Sequence, residues 1–70
     1  MKQKMKLLVS ELVDKGIRLS EAKQEFEKQF ISLVLKKNNK NLTQTARVLG
    51  MHRNTLTQKI QNHKIKSSKL

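Results

Sequence analysis

Ala46, Gly50, Leu56 and Ile60 are spaced as two short helices crossing over a tight turn would require. The crossing needs a small side chain on the first helix where the second approaches, and Ala46 supplies it. Four residues on, the turn needs a positive φ, which Gly50 adopts without steric cost. Leu49, Met51, Leu56 and Ile60 then form an apolar wedge that fixes the angle. The spacing is that of a helix-turn-helix, whose second helix enters the major groove of DNA. No single position is diagnostic, and a plain helical hairpin would pack the same way. The hairpin reading leaves the other residues of the last helix unexplained. With Leu56 and Ile60 inward, His52, Arg53, Thr55, Gln58 and Lys59 point elsewhere. They are donor-rich and gather where a recognition helix meets base edges. Together with Thr43 and Asn54 they form the candidate DNA-binding set. An arginine such as Arg53 can fork onto a guanine, and a carboxamide such as Gln58 can pair with an adenine edge. Thr43 and the free amides behind it suit a phosphate. Lys36, Lys37, Lys40, Arg47 and Lys64 add phosphate attraction or solvation, without base information.

Charge supports a polyanion partner. The 70 residues carry a formal net charge of +11, and such a balance favours nucleic acid or an anionic membrane surface. All five acids, Glu11, Asp14, Glu21, Glu25 and Glu27, precede residue 28. Residues 36–70 hold nine Lys or Arg and no acid, so +9 of the charge lies there. A membrane helix would keep its charges beside one large apolar face, whereas residues 43–60 break at Gly50 and carry Thr, Gln and Asn. Single-stranded RNA modules rely on exposed aromatic rings for stacking. The only two aromatic side chains, Phe26 and Phe30, are read as core.

Catalysis has no foothold. There is no cysteine and no acid after residue 27, so no triad or carboxylate pair is expected near the two histidines. His52 and His63, eleven residues apart, would stand about 16 Å apart along a helix and cannot share a metal. No enzyme, metal, cofactor or small-molecule substrate is expected. No apolar run approaches a membrane span of about 18 residues and none resembles a secretory signal. The expected location is cytoplasmic, without membrane association.

The elements that must position the motif are helical. The chain has no proline, and Gly16 and Gly50 are its only glycines. Met5, Leu8, Val9, Leu12 and Val13 recur at spacings of three and four, which predicts an amphipathic helix over about 3–15 ended by Gly16. Ser20 is placed to cap a second helix, from about Glu21 to Lys37, and Asn38-Asn39 suits its end. Phe30 to Leu35 is apolar nearly all round, which calls for neighbours on more than one side. Thr43 is read as capping a third helix over Gln44–Leu49, and a fourth runs from His52 or Arg53 to about Asn62. The tail 64–70 is read as a frayed basic extension.

Residues 20–63 resemble the Fis-type DNA-binding domain that ends bacterial sigma-54-dependent activators of the NtrC class. The resemblance rests on Phe26-Glu-Lys-Gln-Phe-Ile31, leading into the motif, and on Asn41-Leu-Thr-Gln-Thr-Ala-Arg-Val-Leu-Gly-Met-His-Arg-Asn-Thr-Leu56. It implies an all-α fold of four helices. The first two form a four-helix bundle with a second copy, and the last two form the helix-turn-helix. It also implies transcription regulation at an enhancer, a bacterial nucleoid location, and contacts to DNA from Arg53, Thr55 and Lys59, with Thr43 on the backbone. His52 departs from the asparagine or serine usual at its position, and Thr57 and Gln58 replace residues that are often basic.

A chain this short buries only about 60% of its unfolded surface, and without disulfides the remaining way to gain core is to share one. The expected arrangement is therefore a homodimer. Residues 1–40 associate through Leu8, Leu12, Phe26, Phe30, Leu33 and Val34. Residues 41–63 read an inverted repeat in double-stranded DNA, with half-sites about 34 Å apart. The alternatives are a stand-alone Fis-like architectural protein that bends DNA, and a helical module for dimerisation only.

Overall fold

The computed structural model describes residues 2–65, and these form four α-helices without a strand. They are α1 (Lys2–Asp14), α2 (Leu19–Lys37), α3 (Leu42–Leu49) and α4 (Arg53–Asn62). The all-α fold with a C-terminal helix-turn-helix is thus as the sequence predicts. From residue 66 the predicted frayed tail lies outside the described residues. Its first residues depart from expectation, because Ile65 packs against the core and Lys64 closes α4.

One device ends every helix. The backbone turns left-handed at Gly16, Asn39, Gly50 and Lys64, with φ of 73°, 55°, 73° and 55°. In each case the next amide reaches back to the carbonyl five residues earlier: Ile17 to Leu12, Lys40 to Leu35, Met51 to Ala46 and Ile65 to Ile60, at 2.9–3.0 Å. This closure satisfies carbonyls that a helix end would otherwise leave open. The sequence announces it at the two glycines and hints at it in Asn39. Lys64 gives no such signal.

Two predicted caps are corrected. Ser20 lies inside α2, whose N-cap residue is Arg18. A guanidinium has no acceptor to offer a helix N-terminus, so only the return contact forms, from the Arg18 amide to Glu21 Oε1 at 3.3 Å. Thr43 is likewise inside α3. Asn41 caps that helix by accepting from the Gln44 amide at 3.0 Å. Asparagine is the stronger N-cap of the two, and the shift lengthens α3 by two residues.

The core is small and lies entirely around the last three helices. Ile31 and Leu35 of α2, Ala46 of α3, and Leu56 and Ile60 of α4 are buried together. Leu42, Leu49, Met51 and Ile65 pack around them. Thr45 is also buried, its hydroxyl without a hydrogen-bond partner among the described residues. The C-terminal half of α2 thus serves as the third wall of the helix-turn-helix. Near-full burial of an aliphatic side chain is worth about 1.5–3 kcal/mol, so these five residues hold most of what stabilises the fold.

The N-terminal half is different. No residue of α1 is buried. Leu8, Phe26, Phe30 and Leu33 are exposed, and Leu12 and Val34 are half-buried. The reading of both phenylalanines as core is corrected for the single chain, where they are 47% and 51% exposed. Their rings lie 5.7 Å apart and tilted along the open face of α2. An apolar groove lined by Leu8, Leu12, Ile17, Ala22 and Phe26 runs between α1 and α2.

Candidate nucleic-acid interface

Gly50 closes α3 at φ 73° and ψ 34°, and the chain leaves it through Met51 and His52 into α4. Leu56 and Ile60 anchor α4 by their complete burial. At 3.6 residues per turn, the direction opposite these anchors falls on Asn54, Gln58 and Gln61, with Thr55 and Asn62 beside them. All five are exposed. The outward face of α4 is therefore a row of carboxamides with one hydroxyl, and it carries no charge.

Arg53, the first residue of α4, is exposed on one flank of that row. His52 occupies the N-cap position with extended backbone, but its side chain makes no capping hydrogen bond. The ring is exposed, outside the core. Thr57, half-buried, turns its hydroxyl back to donate to the Arg53 carbonyl at 3.0 Å. Thr43, in the first turn of α3, is exposed and points away from the buried side of its helix. Asn54, Thr55 and Gln58 are thus exposed on the outward side of α4, Arg53 is exposed in its first turn, His52 precedes it at the N-cap and Thr43 is exposed on the neighbouring helix.

Lys59 is the exception. Expected to point outward, it turns back to α2, where its ammonium pairs with Glu27 Oε1. On the other carboxylate oxygen, Glu27 Oε2 lies 3.5 Å from His63 Nε2. Lys59 and His63 are one turn apart on α4, so a single carboxylate bridges both. Hydrogen bonding from Lys59 holds the Glu27 carboxyl below its ordinary range, with partial burial opposing it and His63 assisting. These are the only close pairings of a basic with an acidic side chain among the described residues. The sequence reading missed the cluster. The available signal was the four-residue spacing of Lys59 and His63, together with the position of Glu27 as the last acid before the basic half.

A second basic surface lies between α2 and the end of α4. Lys28, Lys36, Lys40 and Lys64 surround a shallow depression floored by Leu35 and Ile65. Lys36 and Lys37 also occupy the last turn of α2, where cations suit the helix dipole. Positive charge therefore flanks the base-reading row and is absent from it. Such an arrangement can attract a backbone while presenting neutral hydrogen-bonding groups to base edges.

Among the described residues, no group of three or more His, Cys, Asp or Glu is placed to hold a metal ion. No described helix is long and apolar enough to cross a membrane. Residues 24–63 match the family model described as bacterial regulatory protein, Fis family. No curated protein and no solved structure matches the chain.

Proposed function

The chain belongs to the Fis family of bacterial regulatory proteins, and from that premise we propose that it binds a specific inverted repeat in duplex DNA as a homodimer. The family assignment makes it a DNA-binding helix-turn-helix regulator of transcription. The finer reading is carried by the outward face of α4, where Asn54, Thr55 and Gln58 stand free beside Arg53. Carboxamides pair with adenine through N6 and N7, and a guanidinium with guanine through O6 and N7. Thr43 and the first turn of α3 serve a phosphate, and His52 lies close enough to the entrance to join them.

The dimer follows from the uneven burial. The open apolar residues of α1 and α2, Leu8, Phe26, Phe30 and Leu33 among them, are too many and too contiguous for a surface in water. Two copies laid against each other with Leu12 and Val34 would cover them and make a four-helix bundle. The two α4 helices would then face successive major grooves, about 34 Å apart. Its role on this reading is to mark an enhancer for a sigma-54-dependent promoter.

Selection from a randomised duplex pool at about 0.15 M salt tests the reading, because screening suppresses loose contacts there. The expected result is one inverted repeat with fixed spacing. Salt-labile retention without an enriched sequence would instead favour an architectural DNA-bending role. No retention would leave a module for dimerisation alone.

A further inference from the structure

We propose that Glu27 governs how sharply the chain separates its specific site from other DNA, by withholding Lys59 from the phosphate backbone. The inference rests on the DNA-binding reading above. Lys59 sits on the flank of α4 between the buried anchors and the carboxamide row, and is 35% exposed. From that flank a free lysine would reach the backbone lining the groove. Its ammonium is instead held by Glu27 Oε1. His63, only 12% exposed, stands against Oε2 and keeps the carboxylate turned to α4. The pair is neutral as a unit, so it releases no counterion when DNA arrives. Each phosphate contact that a cation makes steepens the dependence of binding on salt by about 0.9 logarithmic units per decade. Such contacts raise affinity for every sequence alike, and therefore dilute preference.

The position of Glu27 is otherwise costly. It is a carboxylate on the α4 side of a molecule built to meet a polyanion, and an unpaired acid there would repel DNA. Pairing with Lys59 cancels that repulsion and spends one of the few cations next to the base-reading row. Other basic groups, Lys28, Lys36, Lys40 and Lys64, line a separate depression and have no carboxylate partner among the described residues. The molecule thus draws general attraction from other lysines and leaves Arg53 as the cation beside the carboxamide row.

The test measures binding of the whole chain to an unrelated duplex across a range of salt concentrations. Wild type, Glu27→Gln, Lys59→Gln and the double variant are compared. Glu27→Gln should steepen the slope by about 0.9 units per chain and raise affinity several-fold at about 0.1 M salt. Lys59→Gln frees the Glu27 carboxylate and should weaken binding, whereas the double variant, neutral at both positions as the wild-type pair is neutral as a unit, should keep the wild-type slope. If the double variant is flatter than wild type by about 0.9 units, Lys59 already contacts phosphate and the inference is wrong. An unchanged slope in a folded Glu27→Gln chain would overturn it equally. If that variant does not fold, the double variant decides by itself. Should the wild-type chain not bind duplex at all, the DNA-binding reading fails first. Binding with misplaced slopes removes only the role of Glu27.

Discussion

The helix-turn-helix head and the N-terminal arm differ in a way that composition does not predict. α1 carries Met5, Leu7, Leu8, Val9, Leu12 and Val13, yet buries nothing. α4 carries only Leu56 and Ile60 as large apolar residues, and buries both completely. What decides burial is whether the chain can bring a second surface to the apolar stripe. In the head, the Gly50 turn folds α4 back onto α3, and α2 closes the third side. In the arm, the Gly16 turn sets α1 beside α2 across a groove, and their remaining apolar faces stay open. The head closes its core within one chain, while the apolar faces of the arm stay uncovered in it.

The comparison breaks most readily at Leu56. Truncation to alanine should cost about 2–5 kcal/mol, close to the whole stability of a chain this size. Urea unfolding followed by circular dichroism should show the head largely melted. A near-normal transition would mean that the head is not held by its own core. Phe30→Asp probes the other region. It should yield a monomer by sedimentation while the head keeps its urea transition, because Phe30 is 51% exposed and outside the buried cluster. A dimer that survived this charge would place the shared surface elsewhere. Gly50→Ala separates strain from packing. A methyl there meets nothing within 4 Å, so its cost should be the left-handed backbone alone, about 1–2 kcal/mol.

The smallest effect concerns the link between α2 and α4. Because the Glu27 carboxyl is held below its ordinary value in the folded chain, its stabilisation is complete above the unfolded pKa. It is lost as pH falls through the folded pKa. Wild type should therefore be modestly more stable than Glu27→Gln at about pH 7, and the difference should shrink as pH falls below the ordinary carboxylate range and through the lowered folded pKa. A constant difference across that range would show that the side chain matters for its packing rather than its charge.

The head was legible in the sequence because its signals are local. Ala46, Gly50, Leu56 and Ile60 lie within fifteen residues and fix one crossing. The buried anchors and the family assignment followed from them. The arm was legible only as a pattern: periodicity names the apolar face of α1 but not what covers it. Both phenylalanines were read as core because a large apolar ring ordinarily is, and a single chain cannot provide that core. Of the misassigned caps, Thr43 lost to Asn41, the stronger cap two residues earlier, whereas Ser20 lost to no better cap: α2 starts at Leu19 behind Arg18, where the preceding turn ends. Lys59 was misplaced because its direction depends on Glu27, 32 residues away, a separation at which spacing carries no information.

The repeated closure of the helix ends also sets a timescale. Each left-handed turn is completed between residues five apart, and loops that short close within about 100 ns. With no proline in the chain, there is no slow peptide isomerisation to wait for, a step that takes about 10–100 s where it occurs. Everything within one copy can therefore be in place early. On the proposed homodimer, the slow event left is the meeting of two copies, and its rate rises with protein concentration. Refolding observed at several dilutions should thus separate into a fast phase indifferent to concentration and a later one that follows it.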